Sequence, residues 1–104
     1  MFARVERFTE PAILLLLRER PAHGYDLLER LPQLTGEDRV EMGNLYRLLR
    51  ALEEEGLVSS EWQDGKRTYE LTERGRQLLD QWVEALRQSQ ERTGRFLARY
   101  EEGR

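Results

Sequence analysis

Cysteine is absent from all 104 residues, so neither a disulfide nor a thiolate metal centre can be built. Such a composition suits a reducing cytoplasm, which is the location expected here. Histidine is almost as scarce, with His23 the single one. A metal site would have to gather carboxylates around that one ring, and the usual nucleophile–base pairs of hydrolases have no second member. Ser59, Ser60 and Ser89 carry no activating motif around them. The expectation is therefore no enzyme, no metal and no cofactor. Long apolar runs are missing too. The stretch from Pro11 to Leu17 falls far short of the ~20 residues of a spanning helix, and Arg18, Glu19 and Arg20 close it. Charged residues before it and the lack of a small-residue cleavage site after it also exclude a signal peptide. No membrane partner is expected. An excess of positive charge is lacking as well, since the formal net charge is −3. A nucleic-acid surface needs local rather than total positive charge, so the placement of the arginines decides.

What is present is a balance of 38% hydrophobic and 36% charged residues, fitting a helix-rich domain with a charged surface. No linker and no internal repeat divides it. The first helix is predicted from Thr9, as N-cap, to Arg20, and the run Ile13 to Leu17 buries it on most sides. Ala22-His23-Gly24 is expected to be a turn, followed by a second helix from Tyr25 to Leu31 that stops near Pro32. A polar loop, Thr35 to Arg39, leads to a third helix from Met42 to Glu55 with Gly56 behind it. Leu45, Leu48, Leu49 and Leu52 share one side of that helix, leaving Gly43, Arg47 and Arg50 on the other.

After Gly56 the pattern alternates. Leu57 to Trp62 and Thr68 to Leu71 read as strands, joined by Gln63-Asp64-Gly65-Lys66-Arg67, in which Asp-Gly marks a hairpin. Thr72 then caps a last helix reaching about Tyr100. Its seam of Leu79, Trp82, Val83, Leu86, Gln90, Thr93, Leu97 and Tyr100 steps by threes and fours. A helix of that length, roughly 40 Å, outruns what so small a body can cover, so the stripe calls for a partner. Gly75 and Gly94 each weaken it by ~1 kcal/mol, with a kink or early end expected near Gly94.

The fold class is thus mainly α with a small β-hairpin: a winged helix-turn-helix over residues 1–71 and a C-terminal dimerisation helix over 72–104, in one compact unit. Its partner is double-stranded DNA, whose major groove admits the third helix while the hairpin reaches phosphates. Arg47 is the first choice for a base-edge contact, Arg50 for a base or a phosphate. Asn44 and Tyr46 flank them, and Lys66 and Arg67 anchor the wing on phosphate. Helix capping explains Asn44 nearly as well, and packing against the wing explains Tyr46 equally well. The alternative is a winged-helix protein-interaction module without DNA binding, which the net negative charge and the short wing favour.

Three stretches carry a family resemblance: Ala22 to Leu28, Gly43 to Val58 and Arg67 to Gly75. The His23-Gly24-Tyr25 turn, the Leu45-Tyr46 pair and the exit Leu52-Glu53-Glu54-Glu55-Gly56-Leu57 together make the signature specific. On these the chain resembles the PadR family of bacterial regulators across roughly Thr9 to Leu86. The resemblance implies a homodimeric repressor whose C-terminal helices form the dimer contact. It also implies that a small hydrophobic effector, such as a phenolic acid or a drug, is a partner of some members. Leu79, Trp82, Val83, Leu86 and Leu97 are the residues that would line such an interface here. Two departures stand out. Gly43-Asn44-Leu45-Tyr46-Arg47 replaces the commoner Gly-Thr-Leu-Tyr-Pro, a form similar to the branch with polyhydroxybutyrate-responsive repressors, so base preference does not carry over. The wing also lacks the extra Gly- and Arg-rich residues often found.

Overall fold

Residues 8–36 and 40–103 are described by the computed structural model of the chain. Helix α1 (Thr9–Glu19) buries Ile13, Leu14, Leu16 and Leu17, as a segment apolar on most sides must. Thr9 is its first residue; the N-cap position falls to Phe8, which makes no side-chain cap bond. Where a turn was expected, Ala22–His23 forms a short strand, β1. Two residues are too few to show alternation in a sequence, and β1 exists only because β3 (Lys66–Leu71) offers it an edge. Ala22 lies opposite Tyr69 and His23 opposite Thr68.

Helix α2 (Gly24–Thr35) is longer at both ends than the proline suggested. His23 caps it, Nδ1 accepting from the Asp26 amide at 3.2 Å. Pro32 sits inside its last turn, where only one backbone donor is lost. The turn beyond is held by the Gly36 amide on the Pro32 carbonyl (2.9 Å) and by Thr35 Oγ1 on the Leu31 carbonyl (3.1 Å). The true stop is Gly36, at φ 74°, a left-handed conformation that glycine adopts without penalty. Of the expected loop, Glu37, Asp38 and Arg39 lie outside the described residues.

Helix α3 (Met42–Glu54) buries Leu45, Leu49 and Leu52 and packs on α2 and on strand β2 (Val58–Gln63). The hairpin β2–β3 keeps an unbroken register from Val58 opposite Leu71 to Gln63 opposite Lys66. Its turn is therefore two residues, Asp64 and Gly65, both at positive φ (51° and 78°), and not the five expected. Gln63, Lys66 and Arg67 are exposed and polar, so hydropathy does not mark them as strand. The sheet order is β1-β3-β2.

Helix α4 (Glu73–Glu102) starts at Thr72, whose hydroxyl accepts from the Gly75 amide (3.1 Å) and donates to the Gly56 carbonyl (2.7 Å). Gly75 is buried, and a β-carbon there would run into the Leu57 carbonyl oxygen and the Leu71 side chain. It is a packing contact rather than a weak point. Helix α4 passes through Gly94 without a break. One core unites α1, α2, α3, the base of the hairpin and Leu79 of α4. Each enclosed leucine or isoleucine in it contributes on the order of 1.5–3 kcal/mol. Among the described residues no helix is long and apolar enough to cross a membrane.

Candidate nucleic-acid interface

Burial of Leu45, Leu49 and Leu52 fixes the rotation of α3, so Asn44, Tyr46, Arg47 and Arg50 all emerge on its exposed side. Neither guanidinium of Arg47 or Arg50 makes an ion pair or hydrogen bond with any described residue. Arg30, by contrast, bridges Glu19 (2.8 Å) and Asp26 (3.3 Å) and so braces α1 against α2. Unpaired arginines on a helix held rigid from behind present their forked donors to an incoming acceptor such as guanine or phosphate. Asn44 is the third residue of α3, and the cap position belongs to Glu41. Tyr46 lies over the start of α2: a β-carbon on Gly24 would fall 2.5 Å from its hydroxyl oxygen. Glycine at 24 is thus what lets the Tyr46 ring settle there and hold α3 against α2.

The hairpin's inner row consists of the cross-strand pairs Val58–Leu71, Ser60–Tyr69 and Trp62–Arg67. Val58 and Tyr69 at its base are buried, while Trp62 near the tip is 65% exposed. Arg67 is exposed like Lys66, but its side chain is engaged within the hairpin. Its guanidinium sits over the Trp62 ring, 5.1 Å from the centroid, and donates to Ser60 Oγ at 2.8 Å. Ser60 in turn donates to Glu53 Oε2 of α3 at 2.7 Å. These bonds tie the wing to α3 and orient the Arg67 side chain. Burial pushes the Tyr69 phenol above its ordinary value of 10.0, although the Arg67 charge pulls the other way. It remains a protonated packing group well into alkaline solution.

Between α3 and the wing lies an open cleft of ≈ 840 Å³, lined by His23, Tyr25, Tyr46, Arg50, Trp62 and Lys66 among others. Sequence reasoning brought Tyr46, Arg50 and Lys66 to this place and missed His23, Tyr25 and Trp62. The alternation of β2 carried a signal for Trp62, because it shares the parity of Val58 and Ser60. His23 and Tyr25 were hidden by the short β1, which alone brings them beside the hairpin.

Along α4 the residues expected at an interface divide. Leu79 is 4% exposed and belongs to the chain's own core, with no surface left to offer a partner. Trp82 packs against that core, and its indole N–H donates to Glu10 Oε2 of α1 at 3.1 Å. Val83 and Leu97 are exposed and Leu86 is half-buried. From Arg87 to Gly103 every residue is exposed, including Phe96 (70%), Leu97 (50%) and Tyr100 (63%).

Two packed helices, a third helix whose Arg47 and Arg50 are unpaired among the described residues, and a hairpin tied to it define a winged helix-turn-helix protein. The chain belongs to the PadR-like family of transcriptional regulators, whose family model matches residues 13–81. A PadR family regulator from Eggerthella lenta is similar at 30% identity and TM-score 0.80, over 92% of this chain and 87% of that one. A transcriptional regulator from Clostridium thermocellum shares the fold at TM-score 0.81 and 23% identity, over 92% and 96% of the two chains. Bacillus subtilis PadR in complex with operator DNA is 30% identical with TM-score 0.64, over 74% of this chain and 46% of that one. A search of curated proteins found no match.

Proposed function

We propose that the chain is a homodimeric repressor that binds a roughly palindromic operator in double-stranded DNA and releases it when a small hydrophobic effector enters the dimer interface. Arg47 reads a base edge, Arg50 a base or a phosphate, and Asn44 and Tyr46 flank them. Lys66 holds a phosphate from the wing tip, and Arg67 keeps the wing in place. The similar B. subtilis PadR bound to operator DNA supports this reading of the winged helix.

The observation that carries the dimer is the far half of α4, where Phe96, Leu97 and Tyr100 stay largely exposed among the described residues. Thirty helical residues extend about 45 Å, so this half stands clear of the core and offers a seam to the same seam of a second copy. Pairing there places two α3 helices on successive major grooves, about 34 Å apart. A shallow depression between Leu86 and Leu97, floored by Gln90, Thr93 and Gly94, gives a small effector a foothold. Binding there favours another spacing of the two heads.

Sedimentation equilibrium with the wild type and Leu97→Glu checks this. The wild type is expected to be a dimer at micromolar concentration, and L97E a folded monomer with its operator affinity lost. A monomeric wild type, or an L97E variant that dimerises unchanged, contradicts the account.

A further inference from the structure

We propose that one strand's sugar–phosphate backbone runs through the cleft between wing and α3, with His23 an uncharged phosphate donor on one wall and Trp62 a sugar-facing platform on the other. This rests on the DNA-binding reading above.

The state of His23 follows from its cap. Nδ1 accepts from the Asp26 amide, so it carries no proton and the ring's one N–H is at Nε2. Among the described residues Nε2 has no partner, and the half-buried ring lines the cleft. Arg50 and Lys66 line the same cleft and supply its free positive charge, because Arg67 is engaged with Ser60 and the Trp62 ring. Glu53, the one carboxylate among the described residues that line the cleft, is occupied by the Ser60 hydroxyl. Trp62 presents a largely exposed indole that no core residue explains. Arg67 stacked on it fixes its attitude, and a deoxyribose is the apolar part of a backbone such a face can cover. An open channel with cations at intervals, a neutral donor and a flat apolar wall suits a chain of phosphodiesters.

The test compares wild type, His23→Asn and Lys66→Gln on a duplex selected by the wild type, at several salt concentrations. Asparagine is itself a good N-cap, so H23N keeps the end of α2 while losing the outward N–H. Expected for H23N is a loss of about 3- to 10-fold in affinity with an unchanged salt slope, since no charge is removed. K66Q is expected to weaken binding and to reduce the slope by about 0.9. Duplexes with single neutral methylphosphonates supply the decisive readout: one position that weakens the wild type should have no added effect on H23N. In a Trp82→Phe background, Trp62 emission should change as the duplex binds.

Wild-type affinity in H23N with unaltered Trp62 emission overturns the cleft proposal and leaves DNA binding standing. So does a weakened H23N with a lowered Tm and no methylphosphonate position whose effect is lost in H23N, which means a structural role. A wild type that binds no duplex overturns both.

Discussion

Replacing Arg47 and Arg50 together with alanine is expected to abolish sequence-specific DNA binding and leave the fold untouched. Each side chain rises from an α3 whose other face is locked by Leu45, Leu49 and Leu52, and neither is engaged by a described residue. Nothing internal is therefore lost, and the change in stability should stay within about 0.5 kcal/mol. A guanidinium paired with a guanine edge is worth about 1–3 kcal/mol, so Arg47→Ala alone should weaken operator binding by roughly 10- to 100-fold and relax the preference at one base pair. Arg50→Ala should weaken it similarly; on a phosphate, its loss also shrinks the salt slope by about 0.9. Titration of the variants against the operator and single-base variants of it, beside thermal melts, separates these effects. Loss of binding that tracks loss of folding would contradict the assignment.

The largest effect on stability is expected from Gly75→Ala. Alanine ordinarily favours a helix interior over glycine by ~1 kcal/mol. At position 75 the new methyl would have to occupy space held by the Leu57 carbonyl and the Leu71 side chain. Either α4 moves off the base of the hairpin or the Thr72 cap opens, and both disturb the burial of Leu79. A net destabilisation of about 2 kcal/mol or more is expected, at the upper end of overpacking costs. A β-carbon at Gly94 would meet no described residue beyond its own stretch of helix within 4 Å, so the same change there carries no such penalty in the single chain. Chemical denaturation of G75A and G94A checks the contrast, and a G75A variant as stable as wild type would show that the helix–hairpin contact is looser than described.

These two glycines also show where sequence reading stops. Both lie in one helical pattern and carry the same propensity cost, and only the fold distinguishes a tight contact from open space. The leucine stripe of α3 was legible because burial at three- and four-residue steps determines which arginines face out. The hairpin was legible from Asp64-Gly65, whose conformations suit a two-residue turn, although the strands ran closer to it than hydropathy showed. Strand β1 was not legible, since two residues carry no period. With it went the place of His23 and Tyr25 beside the wing. Pro32 misled because a proline marks a missing donor, and in the last turn of α2 the helix continues to Gly36 regardless. Arg67 looked like a second anchor beside Lys66, but strand parity turns it onto Trp62 and Ser60. Leu79 fitted the seam of α4 by spacing, yet the first turns of that helix belong to the core.

The most direct test of the account is selection of bound duplexes from a random DNA pool, followed by titration of the winner at several salt concentrations. A palindromic winner is predicted, bound at nanomolar levels with affinity that falls steeply as salt rises. Failure to enrich any sequence, with binding weak even at low salt, would contradict it.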